Sequence, residues 1–416
     1  MLLWLLVKKF NERSVRMSLY HGSLYWPTTV HERPVYPKLN NHVTCDVLVI
    51  GAGMSGALLT YMLAKESLQV ILVDKGSVGN GSSAANTGLL QYSNDKMLHS
   101  FAESIGEEDA VRFYELCLNG MKELKSIASS LHEDVQFVNR QSLYYASTDS
   151  DVFSLRKEYE MLKKYKFPVE FLEKDMIYKA YGFNKHAAIR TSGDAEVNPE
   201  RFIISLIKEA AQKSNVQVFE NTEVSKPQNK DGCWLFNNGD SSIKAKHVVY
   251  ATGYDLDNFA IDIPTKINRT FAIVTNPVSS FPHWEDRCLI WETKRPYFYM
   301  RTTLDGRIIA GGLDEEIMEA PRDDQILQLY ADRLLVRIKE HFPHLQLKAD
   351  YVYGATFGES KDGIPFIGEH PQQKNLYYCL GFGGNGTVYS AFGSTILKDL
   401  IIKGKHPDAD LVRLDR

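Results

Sequence analysis

Paired cysteines are missing from this chain. The five present (Cys45, Cys117, Cys233, Cys288 and Cys379) are scattered, odd in number and without CxxC spacing. That suits reduced thiols in a cytoplasm better than a disulfide framework. Metal-ligand spacing is missing too: His341 and His344 flank Pro343 at an expected helix end, so no metal is expected. An excess of one charge is absent, since 48 Lys and Arg face 52 Asp and Glu for a net charge of −4. With no basic stripe, nothing calls for nucleic acid. Repeats and low-complexity tracts are absent. A long hydrophobic run is lacking as well. The opening MLLWLLVKKF puts its apolar residues before its charges, the reverse of a signal peptide, and is far too short to span a bilayer. A start at Met17 explains it blandly and a weak interfacial anchor is the other reading. Membrane anchoring is not the expectation.

What is present is a chain of 416 residues, long enough for two domains, with 22 Tyr and 20 Phe to line a pocket. Asp46–Ile50 predicts a short apolar parallel strand. Gly51-Ala52-Gly53-Met54-Ser55-Gly56 then opens a segment with Leu58, Leu59, Met62 and Leu63 at helical spacing. Gln69–Val73 predicts a second strand, with Asp74 and Lys75 at its carboxyl end. This is the strand–turn–helix–strand setting that a dinucleotide fingerprint requires. Gly51 permits the tight turn, Gly53 lets backbone approach a pyrophosphate, and Gly56 lets helix and strand pack closely. The helix N-terminus offers N–H groups to phosphate, and Asp74 stands where a carboxylate would grip a ribose hydroxyl.

Residues 1–43 read as an irregular lead-in. Helical patterns cover about 107–131, 154–165 and 323–341, the last with Leu327, Tyr330, Leu334 and Ile338 on one face. YFYMRTTLDGRIIAGG predicts a hairpin through Asp305-Gly306. A last glycine cluster precedes a helix from about Thr387 to Ile402. The first strand and that cluster lie over 300 residues apart, so if both touch one cofactor the binding domain is discontinuous. That requirement favours a flavin over a nicotinamide architecture.

Three further segments carry a resemblance: GSSAANTGLL (Gly81–Leu90), VVYATGYD (Val248–Asp255), and DGIPFIG with GFGGNGT (Asp362–Gly368, Gly381–Thr387). With the fingerprint they resemble the D-amino-acid oxidase-like flavoproteins, the group of glycine oxidase, sarcosine oxidase and γ-glutamylputrescine oxidase, over about residues 44–410. The resemblance implies noncovalent FAD, because no cysteine or histidine matches a covalent link. It would be held by the fingerprint and by Ser82, Ser83, Asn86, Thr87, Gly88 and Leu89 beside the ring. Ala251, Thr252 and Gly253 would pass under the phosphates, and backbone near Val224 would read adenine. Asp362, Gly363, Gly383, Gly384, Asn385, Gly386 and Thr387 complete the set. A helix starting near Gly386 would aim about half a positive charge at the flavin edge that becomes negative on reduction.

The implied fold is α/β: a discontinuous Rossmann-like FAD domain (44–100, 196–260 and 351–416) with a mixed-sheet substrate domain (101–195 and 261–350). The implied reaction is oxidation of a C–N bond by hydride transfer to flavin N5, with dioxygen or an electron carrier as the final acceptor. A quinone- or carrier-linked dehydrogenase is the enzymatic alternative. A tRNA-modifying relative and a flavin-binding protein without turnover are the others. Tyr297, Tyr299 and Arg301 alternate onto one strand face as expected substrate contacts. Relatives anchor a substrate carboxylate with arginines where this chain has Thr356, Phe357 and Gly384. A carboxylate would then fall to Arg301 or Arg269; otherwise the substrate is an amine without one.

Overall fold

The computed structural model describes residues 19–224, 226–254, 264–381 and 383–416, the side chain of Asn238 excepted. The opening apolar run, Met17 and Asp255 lie outside these residues.

Two sheets organise the chain. In the first, strand His42–Ile50 pairs in parallel with Val70–Val73 on one side and Ser241–Tyr250 on the other. Val216–Phe219 and Gln373–Leu380 extend the two flanks, again in parallel. Phe366–His370 closes one edge antiparallel, and Cys233–Asn238 adds a hairpin partner to Ser241–Tyr250. Val47, Leu48 and Val49 are wholly buried, as a strand covered on both faces requires. Because the chain leaves His42–Ile50 to one side and later returns on the other, the strand order reverses at its carboxyl end. Open α/β sheets bind ligands in such a crevice.

Helix Met54–Leu63 starts at that crevice and packs against helices Gly386–Lys403 and Pro199–Ala211. The last helix thus comes from the far end of the sequence to lie beside the first, the discontinuity the glycine motifs require.

Among the described residues the second sheet has ten strands and is mixed. Leu289–Glu292 runs parallel to Val138–Tyr145, while the other pairings are antiparallel. Helix Asp324–His341 covers one face, burying Leu327, Tyr330, Leu334 and Ile338 against Phe271, Ile290, Phe298 and Met300. The hairpin through Asp305-Gly306 joins Phe298–Thr302 to Ile308–Glu315. Since Phe298 and Met300 face the helix, Tyr297, Tyr299 and Arg301 point the other way.

Two segments sit elsewhere than the sequence reading puts them. Ala349–Ser360 pairs along its length with Thr265–Thr275, so the start of the expected 351–416 piece belongs to the second sheet. In the lead-in, Tyr20–Gly22 forms the edge strand beside Ala349–Ser360, and Trp26 is buried with its indole N–H donating to the Asn86 carbonyl at 2.5 Å. Among the described residues no helix is long and apolar enough to cross a membrane. Nor is any group of three His, Cys, Asp or Glu placed to hold a metal.

Candidate active site

At the crevice, backbone meets backbone. A Cβ on Gly56 would lie 1.8 Å from the Gly51 carbonyl oxygen, and one on Gly51 would lie 2.4 Å from that of Ala251. Gly51 also holds φ at +105°, a conformation that L side chains rarely adopt. The N-cap of the first helix is Gly53, which has no side chain to cap it, and the Met54 N–H donates to Ser83 Oγ at 3.1 Å. Asp74 accepts from the Ala52 and Gly76 N–H groups, each at 2.7 Å, while burial pushes its carboxyl above the usual range.

A cavity opens here. Its walls include Gly51, Gly53, Met54, Ser55, Asp74, Lys75, Ser82, Ser83, Asn86, Val224, Ala251, Thr252, Gly253, Gly386 and Thr387, which the sequence reading gathers. Leu19, Asn80, Thr222 and Glu223 join them from positions that no motif marks, and Tyr254 from the VVYATGYD segment. The fit to a dinucleotide rests on observations of the wall itself: bare backbone at the glycines, a helix start left without an N-cap side chain, and the Asp74 carboxyl at the end of its strand.

A second cavity adjoins the first, with Ser82, Asn86, Tyr254 and Gly386 in both walls. Thr87, Leu89, Gly383, Gly384 and Asn385 face it, as do Tyr297 and Tyr299. So do Gln91, Asp95, Thr270, Trp291, Thr356 and Phe357. Trp291 and Tyr299 are direct cross-strand partners. A Cβ on Gly311 would come within 2.4 Å of Tyr299 Oη, so that glycine makes room for the ring. Burial raises the pKa of both tyrosines, so their hydroxyls stay protonated. Helix Gly386–Lys403 begins between the cavities. Its N-cap Asn385 turns its amide to the Ser93 carbonyl at 2.6 Å and does not cap the helix.

Several expected contacts lie outside both walls. Arg301 is the main correction. It is 2% exposed, its guanidinium donates to the carbonyls of Thr87 (2.8 Å) and Val197 (2.9 Å), and Glu196 lies 3.6 Å away. It holds the loop at Thr87 and, being buried, lines neither cavity. A side chain at Gly88 would meet it at 2.5 Å. Arg269 is likewise engaged, by Glu315 at 2.6 Å. Asp362 binds Arg416 and the Ile364 N–H, and Gly363 packs near Phe101. Ala52 and Gly56 support the turn from behind. Thr356, Phe357 and Gly384 do face the second cavity, and among the described residues no Lys or Arg lines it. At Gly384 a Cβ would lie 2.5 Å from Asp95 Oδ2, so a side chain there would require the Asp95 carboxyl to shift.

Replacing Arg301 strands buried carbonyls and a buried carboxylate. Arg301→Ala should therefore destabilise the fold by about 3–5 kcal/mol and release cofactor. Substrates of any charge should be affected alike, as melting temperature and bound-flavin content would show. A selective rise in KM for acidic substrates would contradict this placement.

Asp314 carries a pH signature. Burial, with the charges of Asp95 and Glu359, raises its carboxyl from 3.8 to about 7, against Thr270 and Arg295. A raised acid favours the folded state while protonated, so its contribution to stability falls as pH rises from 3.8 toward 7. Asp314→Asn should flatten that fall in melting-temperature profiles taken across this window. Parallel profiles for the two proteins would contradict it.

Comparison with known proteins agrees with this geometry. The family model described as DAO, FAD dependent oxidoreductase, matches residues 46–400. The probable oxidoreductase OrdL of Rhizobium meliloti (strain 1021) is 23% identical over 94% of this chain and 91% of its own length. Gamma-glutamylputrescine oxidoreductase of Escherichia coli (strain K12) is 22% identical over 92% and 89%. The crystal structure of glycine oxidase from Geobacillus kaustophilus superposes with a TM-score of 0.76 at 19% identity, covering 90% of this chain and 99% of that one. The chain therefore belongs to the DAO family of FAD-dependent oxidoreductases.

Proposed function

We propose that this enzyme oxidises the C–N bond of an amine or amino acid within the second cavity. The observation that carries the reading is the shared wall. Ser82, Asn86, Tyr254 and Gly386 border both the dinucleotide crevice and the tyrosine-lined space, so a substrate in one meets a cofactor in the other. FAD, when bound, supplies the two-electron hydride acceptor.

The chain's own residues align and enclose. Alignment alone is a large part of such a rate enhancement, because a bound substrate at near-attack distance no longer loses freedom on reaction. Tyr297 and Tyr299 offer neutral hydroxyls and ring area, orienting a substrate through hydrogen bonds without removing a proton. Leu89, Trp291 and Phe357 give the cavity wall apolar surface. The start of helix Gly386–Lys403 presents positive potential to the shared wall, which favours negative charge arriving there. Dioxygen or an electron carrier would be the final acceptor, two alternatives that reoxidation kinetics after anaerobic reduction would separate.

The lining also sets a preference. Without a cation in the wall, simple amino acids should bleach the flavin poorly in an anaerobic screen. Secondary and larger amines should outpace glycine and D-alanine by about tenfold or more, some 1.4 kcal/mol. Fast bleaching by glycine or D-alanine would contradict the preference, and a flavin that no amine or amino acid reduces would overturn the function.

A further inference from the structure

The wall of the second cavity holds a carboxylate without a counter-ion. Among the described residues that line this space, Asp95 is the one Asp, Glu, Lys, Arg or His. The turn before the last helix fixes its place. The Gly384 N–H donates to Asp95 Oδ2 at 3.2 Å. Next to it the Asn385 amide donates to the Ser93 carbonyl at 2.6 Å and to Asn94 Oδ1 at 3.1 Å. Gly384 lines the cavity too, so the carboxylate lies at its wall. Asp95 is half-buried, and its Oδ1 accepts no hydrogen bond and is not among the polar atoms that the fold shuts away from solvent.

Among the described residues no Lys, Arg or His nitrogen lies within 4.0 Å of that carboxylate. Arg295 comes to the same residue but binds elsewhere. Its Nη2 donates to the Asp95 main-chain carbonyl at 2.8 Å, and Nη1 serves the carbonyls of Glu292, Thr293 and Lys294. A carboxylate accepts several bonds, and charge-assisted ones run about 2.7–2.9 Å, so a single peptide N–H at 3.2 Å leaves this one under-used. An ammonium group on a ligand supplies what is missing, a full charge with several donors. The reacting nitrogen cannot be that group. Its lone pair must be free to push a hydride from the neighbouring carbon, whereas a carboxylate beside it would hold it protonated. Asp95 also lines only the second cavity, to one side of the wall that the two share. Its partner Gly384 stands two residues from Gly386 in that wall, at most about 7 Å along the chain. A short carbon chain covers that distance, with Tyr297, Tyr299 and Phe357 in the same lining to receive it.

We propose that Asp95 is a specificity-determining residue that binds a second, charged ammonium group of the substrate. The preferred substrates are then diamines and related amines that carry a cation one short carbon chain from the reacting C–N bond. This rests on the function proposed above and names its substrate class. A substrate with a carboxylate in that position would meet Asp95 instead and be repelled. Burial also holds the Asp95 carboxyl above the usual range, against the charge of Arg295, and a bound ammonium would draw it down.

The test compares three amines of matched length on the FAD-loaded enzyme: butylamine, α,ω-diaminobutane and γ-aminobutyrate. Binding is read by calorimetry with the flavin reduced beforehand under anaerobic conditions, so none of them is oxidised during the titration. The diamine should bind about tenfold more tightly than butylamine, and γ-aminobutyrate more weakly than either. Asp95→Asn keeps an acceptor for the Gly384 N–H and removes the charge. It should bring the diamine-to-butylamine affinity ratio close to one. A purely structural role would weaken both amines and leave their ratio in place. Melting temperature and flavin content identify a variant that has failed to fold, and the wild-type order of the three ligands stands regardless. Equal binding of diamine and butylamine by the wild type, or an unchanged ratio in folded Asp95→Asn, would overturn the proposal. Anaerobic bleaching of the oxidised enzyme by the same amines tests the function separately. If the diamine binds as expected and no amine bleaches the flavin, the function falls and the cation site stands. If amines bleach it and the diamine gains nothing, the reverse holds.

Discussion

The site depends on one contact: the carbonyl of Gly51 lies where a Cβ of Gly56 would be, 1.8 Å away. Because neither residue carries a side chain, strand His42–Ile50 can turn straight into helix Met54–Leu63 with backbone against backbone. Gly51 meets Ala251 in the same way on the other flank. Three chain segments thus converge at the point where the strand order reverses. What remains open there is peptide N–H and the start of a helix, a surface suited to phosphate.

The second sheet turns this crevice into an enzyme site by standing against it. Its contribution is partly hidden. Arg301 crosses from the sheet to the carbonyls of Thr87 and Val197, pinning the loop that borders both cavities. Trp26, from the lead-in, secures the same loop through the Asn86 carbonyl. A buried guanidinium is costly unless well satisfied, and here it is satisfied by backbone. Its gain is a fixed loop, and its consequence is that, among the described residues, no Lys or Arg lines the second cavity.

What could be read in the sequence follows from this physics. Gly51, Gly53, Gly56 and Asp74, and the start of the last helix at Gly386, answer to local backbone demands that leave a local pattern. Arg301 was legible as a residue on the face of Tyr297 and Tyr299, but not as a loop clamp. Its partner carbonyls lie 214 and 104 residues away, and a carbonyl leaves no mark on residue type. The strand Ala349–Ser360 looked like part of the nucleotide unit because its partner strand is set by tertiary pairing, not by composition.

The central claim is that one FAD lies along both cavities, with its ring at their common wall. A crystal structure of the FAD-loaded protein tests it most directly. The account predicts adenosine beside Glu223 and Val224, the pyrophosphate over Gly51 and Gly53, and the flavin ring between Ser82–Asn86 and Gly386. A ring turned away from Tyr297 and Tyr299, or a cofactor confined to the first cavity, would contradict it.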